Sequence, residues 1–172
     1  PETSLETMAG LKPAFDKDGS VTAATSSPLT DGAAAVIVCS EDYANKNSLE
    51  ILAHIRGMAI SGCSPEIMGI GPVISSQKAL KRAGIKLEDV DIIEMNEAFA
   101  AQSLACVKEL GIEMSKLNVH GGAISIGHPL GASGARITGK AASLLKETGK
   151  RYALSTMCVG GGQGCATVLE RV

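Results

Sequence analysis

Apolar positions along the chain come in short runs separated by glycine-rich or polar turns, and the spacing inside each run separates strands from helices. Residues 33–38, Ala-Ala-Ala-Val-Ile-Val, form a continuous β-branched run of the length of a buried strand. Ser40 follows as the cap of a short helix over residues 41–45. Residues 50–60, rich in Ile, Leu and Ala, read as a strand entering the turn at Ser61-Gly62. After a break at 69–72, Val73, Ile74, Ala79, Leu80 and Ala83 recur at helical spacing up to Gly84. Residues 90–95 then predict a strand, 98–110 a helix closed by Gly111, 132–148 a further helix and 151–157 a strand. A turn at 160–164 leads into a last strand over 165–170. The first twenty residues are polar, with a turn at Asp16-Lys17-Asp18-Gly19-Ser20, and read as a connecting segment. The order β, α, β, α, β, α, β, β predicts an α/β layered fold whose closing strand pair, joined by a tight turn, is antiparallel.

Composition narrows the functional classes. With 45% hydrophobic and 20% charged residues among 172, the chain can build a core. A net charge of −2, two Tyr, two Phe and no Trp leave neither a basic footprint nor stacking platforms, so no nucleic-acid partner is expected. Five cysteines without a C-x-x-C pair point to free thiols in a reducing compartment. No run of about 18 apolar residues is present and the polar start is unlike a signal peptide, so neither a membrane span nor secretion is expected and the localisation is read as cytoplasmic. Eleven of the 20 glycines fall between Gly121 and Gly164, a crowding that asks for a cause.

Three segments carry candidate chemistry. In Gly127-His128-Pro129-Leu130-Gly131-Ala132-Ser133-Gly134, His128 stands at the start of a helix with Pro129 as its first residue. The helix dipole disfavours imidazolium there, which suits a neutral base or donor; a ring that merely caps the turn is the alternative. In Met157-Cys158-Val159-Gly160-Gly161-Gly162-Gln163-Gly164 a strand runs out into glycines. There Cys158 either faces a pocket beside free backbone N–H groups or is a small core residue. In Asn96-Glu97-Ala98-Phe99, Asn96 is either the cap of the next helix or a ligand-facing group at a strand end. Asn96, His128 and Cys158 all belong to strand ends or the helix starts beyond them. His54, His120 and His128 share no ligand spacing, and no metal site is expected.

Taken in order, Asn96-Glu97-Ala98-Phe99-Ala100, Gly121-Gly122-Ala123 running into Gly127-His128-Pro129-Leu130-Gly131, and Cys158-Val159-Gly160-Gly161-Gly162 resemble the thiolases, in particular the acetyl-CoA acetyltransferase and 3-ketoacyl-CoA thiolase group. Gly19-Ser20-Val21-Thr22-Ala23, Asp31-Gly32-Ala33-Ala34 and Met68-Gly69-Ile70-Gly71-Pro72 extend the similarity over nearly the whole chain. Condensing ketoacyl synthases share a similar histidine segment, but they typically carry Gly-Phe-Gly-Gly and a second histidine where this chain has Cys158 and its triple glycine.

The resemblance implies a fold of two similar β-α-β-α-β-α-β-β halves with an inserted loop domain, assembled as homodimers or homotetramers. In those terms residues 1–20 are the end of the loop domain, 21–47 the last helix and strand of the N-terminal half, and 48–172 the C-terminal half. It implies an acyl-CoA C-acyltransferase that cleaves 3-ketoacyl-CoA with coenzyme A, or runs backward as a Claisen condensation, with CoA as substrate and no permanently bound cofactor. By the same resemblance His128 activates a nucleophilic cysteine, Cys158 is the acid/base at the substrate α-carbon, and Asn96 holds a water in the first oxyanion hole. The Gly160 N–H belongs to the second hole, Phe99 lines the acyl pocket and Ser27 contacts CoA. Thr25 and Pro28 depart from the asparagine and glycine common beside that serine. The nucleophilic cysteine is expected in an N-terminal half acting as partner, since none of the five cysteines here has its setting. The competing expectation is a non-catalytic thiolase-like module for acyl-CoA binding or assembly. Without sheet partners, residues 33–38 are expected to be exposed and prone to self-association.

Overall fold

The computed structural model describes residues 3–172. Its centre is a four-stranded sheet of β1 (Ala53–Gly62), β2 (Ile92–Met95), β3 (Tyr152–Val159) and β4 (Gln163–Arg171), in the spatial order β1-β4-β3-β2. β3 and β4 form the antiparallel closing hairpin, β1 adds antiparallel to β4, and β2 runs parallel to β3 with Met95 opposite Thr156. The layered α/β order therefore holds.

Helices cover the two faces separately. On one face lie α3 (Gly71–Ala83) and α4 (Ala100–Leu110), and a core of Ala79, Leu80, Ile93, Met95, Cys106, Leu154 and Val168 forms beneath them. On the other, α6 (Ser133–Thr148) packs Ala141, Leu144 and Leu145 on Ile92, Ala153 and Leu169. Alternate residues of β2 and β3 thus face opposite layers, as a period of two requires. Helices α3 and α4 stop at Gly84 and Gly111, both in the left-handed region (φ 72 and 73) that glycine enters without a Cβ penalty. The start of α3 lies directly on the start of β4: a Cβ at Gly164 would strike the Gly71 carbonyl, so backbone meets backbone there.

Four elements differ from the expectation. Residues 33–38 form no strand and are exposed, Ile37 at 83%, because among the described residues no neighbouring strand offers hydrogen-bond partners. Between α4 and α6, where the resemblance implies a further strand, a single parallel bridge joins Ile93 and Leu117. The pairing ends there because Asn118 turns the chain at φ 44 and its own side chain takes over the β2 edge: Oδ1 accepts from Met95 N and Nδ2 donates to Met95 O, both at 2.9 Å. Two short helices arise where none was expected, α1 (Leu5–Ala9), held by a Ser4–Thr7 capping box, and α5 (Ala123–Ile126). The expected helix after Ser40 is α2 (Glu41–Lys46), with the Ser40 hydroxyl accepting from Tyr43 N.

Candidate functional site

The site is built at the C-terminal ends of the parallel pair β2 and β3. Asn96 follows β2, and its N–H donates to Thr156 O at 3.0 Å, which extends the parallel pairing by one residue. Asn96 is fully buried and is not a helix cap: Phe99 occupies the cap position of α4 without a side-chain bond. Its amide Nδ2 instead lies 3.2 Å from His128 Nε2. Of the two readings open to Asn96, the geometry sets aside the helix cap, since the amide turns to His128.

His128 precedes α6 by a turn rather than opening it. The Pro129 carbonyl accepts from Ala132 N, Ser133 N and the Ser133 hydroxyl, so Pro129 closes that turn and is not the first helical residue. With its proton committed to Pro129 O, the Ser133 Oγ accepts from His128 Nδ1–H at 2.6 Å. Nε2 then carries the free lone pair and accepts from Asn96 Nδ2. Burial, reinforced by the Arg136 charge, holds His128 below the usual histidine range, so the ring is neutral and basic at Nε2. On the chain's other side, His128 N–H donates to Thr30 Oγ1 at 3.3 Å, and the Thr30 hydroxyl donates to Pro28 O. Gly127 allows this approach, because its φ of 99 and the Thr30 side chain lying where a Cβ would stand both exclude larger residues.

Cys158 lies on β3 opposite Gly164 and is 6% exposed. It shares the face of Leu154 and Thr156, with the thiols of Cys106 and Cys63 near it. Burial first, and then the proximity of Cys106, push its thiol up to about 11. It is a protonated thiol at neutral pH, a proton donor rather than a standing thiolate. Among the described residues no hydrogen bond joins it to His128 or Asn96. Gly160, one residue beyond β3, is exposed, with open space where a Cβ would stand.

Ser27 and Phe99 meet at the same edge. Ser27 N and Oγ both donate to Ala98 O, at 3.0 and 3.1 Å, and Ser26 bridges Phe99. The Phe99 ring stands edge-on to Phe15, centroids 6.0 Å apart. Residues 26–36 thus run as a strap across the site, Ser27 on Ala98, Thr30 on His128, Gly32 on Pro129 and Val36 on Gly139.

Two positioning groups escaped the sequence reading. The Glu97 carboxylate accepts from Asn118 Nδ2 at 2.7 Å and Ile124 N at 3.1 Å, tying β2 to α5, and it fills the space a Cβ on Gly122 would need. Asn118 both edges β2 and holds Glu97. The signal for both was the residue type itself: an acidic residue after a strand, and an asparagine, which tolerates positive φ, ahead of two glycines.

Among the described residues there is no cluster of His, Cys, Asp and Glu able to hold a metal ion, and no helix is long and apolar enough to cross a membrane. Residues 49–171 match the thiolase C-terminal domain, and residues 1–42 the thiolase N-terminal domain. A 3-ketoacyl-CoA thiolase of Vibrio parahaemolyticus is 55% identical over 99% of this chain, and one of Shewanella frigidimarina 56% over all of it. These alignments cover 45% and 46% of the two relatives, so the chain spans about half of their length. Human mitochondrial 3-ketoacyl-CoA thiolase in complex with CoA superposes with a TM-score of 0.97 at 50% identity, over the whole of this chain and 44% of that one. The Bacillus anthracis acetyl-CoA acetyltransferase gives 0.95 at 47%, over 98% and 43%. With the thiolase C-terminal model matching most of its length, this chain belongs to the thiolases.

Proposed function

We propose that these residues supply the base, acid and oxyanion groups of an acyl-CoA C-acyltransferase that cleaves acetoacetyl-CoA or longer 3-ketoacyl-CoA with coenzyme A, or condenses two acyl-CoA molecules in reverse. The contact between Asn96 Nδ2 and His128 Nε2 carries the reading. A neutral imidazole, fixed at Nδ1 by Ser133, keeps its basic lone pair at Nε2, which exchanges the Asn96 amide for the proton of an attacking thiol.

In the proposed sequence the nucleophilic cysteine belongs to the N-terminal half of the thiolase. Its thiol gives its proton to His128 and attacks the 3-keto carbon; the C2–C3 bond breaks, and the electron pair passes to C2. Cys158 donates its proton to that carbon, releasing acetyl-CoA and leaving the acyl group, two carbons shorter than in the substrate, on the nucleophile. The Cys158 thiolate then recovers a proton from the imidazolium through solvent; the CoA thiol gives its proton to the imidazole and attacks the acyl carbonyl, and the nucleophilic cysteine leaves as a thiolate and takes that proton back. Asn96, with His128 and a water, stabilises the first oxyanion and the Gly160 N–H the second. Phe99 lines the acyl pocket, and Ser27 contacts CoA. In the whole enzyme, the halves assemble as homodimers or homotetramers. In domain terms residues 1–20 close the loop domain, 21–47 complete the N-terminal half and 48–172 form the C-terminal half.

The test is thiolysis of acetoacetyl-CoA. This chain combined with an N-terminal thiolase half bearing the nucleophile is expected to turn over, and the chain alone is not. Turnover by the chain alone contradicts the assignment of the nucleophile, and an inactive combination that still binds acyl-CoA favours a non-catalytic module.

A further inference from the structure

The polar chemistry of β2 does not end at Asn96. Two residues earlier on the same face, Glu94 is 1% exposed, and its Oε1 has no hydrogen-bond partner among the described residues. Across the layer, in the first turn of α6, Arg136 holds Nε and Nη2 buried and also without a partner there. No ion pair within 4.0 Å joins the two among the described residues. They nevertheless face one another across a single interlayer space. Ser155 is the register partner of Glu94, Thr138 Oγ1 lies 3.1 Å from Ser155 Oγ, and Gly134 packs on Met157. Arg136 lies between Gly134 and Thr138 on that helix, three residues after the Ser133 that holds His128.

Buried donors and an acceptor left unmet are costly, and a polar space between them is where a buried water making two to four hydrogen bonds is stable. We propose that Glu94 and Arg136 form a buried, water-bridged ion pair beneath the Asn96–His128 contact, and that Arg136 is a positioning residue that keeps His128 neutral and aimed at Asn96. The inference rests on the reading of His128 as the base and names the charge that maintains it. The charged groups around the imidazole are consistent with this. From β2 and its end come Glu94 and Glu97, and from α6 Arg136 and Lys140. Lys140 is turned toward His120, with Nζ 2.7 Å from Nδ1, and the strap contributes the exposed Asp31. The Arg136 charge lowers the pKa of both His128 and Glu94, whereas burial raises that of Glu94 to about 7.

The experiment is an NMR titration of the labelled chain, following the His128 ring and the Glu94 carboxyl, with Arg136→Met, Arg136→Lys and Glu94→Gln. Arg136→Met is expected to move both midpoints upward, and Arg136→Lys to restore them. Glu94→Gln is expected to move the His128 midpoint downward, a readout that remains if Arg136→Met does not fold. A cross-peak from Arg136 Nε–H to water supports the bridge, and its absence overturns it. A His128 midpoint unmoved by Arg136→Met or by Glu94→Gln overturns the positioning role. None of these readings requires turnover, so a shifted titration with no thiolysis in the combined halves would instead count against the proposed reaction.

Discussion

Two short runs carrying β-branched residues have opposite fates in this molecule. Ile92 and Ile93 in β2 are 4% and 1% exposed, whereas Ile37 and Val38, just past the strap, are 83% and 71% exposed. The difference is not propensity. β2 has β3 on its edge, α6 on one face and α3–α4 on the other, whereas residues 33–38 pair with no strand among the described residues. A strand is a property of a chain and its neighbours together.

The largest expected effects follow that contrast. Leu144→Ala removes a side chain that is 0% exposed between α6 and the sheet, and should cost about 3 kcal/mol in chemical denaturation. Ile37→Ala should change the same measurement by less than about 0.5 kcal/mol, and Ile37→Asp should reduce self-association in sedimentation. Amide exchange should be fast at 33–38 and slow at 153–157. Equal protection of the two segments would break the comparison.

Next in size is the joint between β2 and the glycine-rich loop. Asn118→Ala deletes three hydrogen bonds, two of them to the Met95 backbone, and should destabilise by about 2 kcal/mol. Exchange should increase at Met95 and Ile124, the latter because Glu97 loses its support.

Smaller, pH-dependent effects come from the buried acids. Glu94 binds its proton more tightly folded than unfolded, 4.5 being its ordinary value and about 7 its folded one, so stability should fall as pH rises through that window. Glu94→Gln should flatten the slope. Cys158, raised from 9.0 to about 11, contributes stability that is present below pH 9 and lost as pH rises toward 11. Cys158→Ala should remove that alkaline loss in a melting series. His128 has the opposite slope: its pKa is lowered, so its contribution is present above the unfolded value and lost as pH falls.

What could be read along the chain was local. Helix ends at Gly84 and Gly111, strands β3 and β4 and the cap at Ser40 follow from spacing and residue type, and the structure has each of them. Non-local geometry was not legible. Asn96 has the residue type of a cap, but a side chain 32 residues away claims its amide. Asn118 serves as a surrogate edge for β2, a role set by the turn at φ 44 rather than by any pattern around it. Glu94 reads as one polar position in a strand until α6 covers it. The glycine crowding likewise has more than one cause. Gly127 admits Thr30, Gly122 admits the Glu97 carboxylate, and Gly164 admits the backbone of α3.

The most direct test of the central claim separates the two chemical steps. Labelled acetyl-CoA is offered to this chain combined with an N-terminal thiolase half, and acetyl transfer to the nucleophilic cysteine is measured beside thiolysis of acetoacetyl-CoA. The account predicts that His128→Ala loses both by about 10²–10⁴-fold. Cys158→Ala should retain acetyl transfer and lose thiolysis, since only carbon–carbon cleavage needs its proton. Acetyl transfer undiminished by His128→Ala, or thiolysis undiminished by Cys158→Ala, would contradict it.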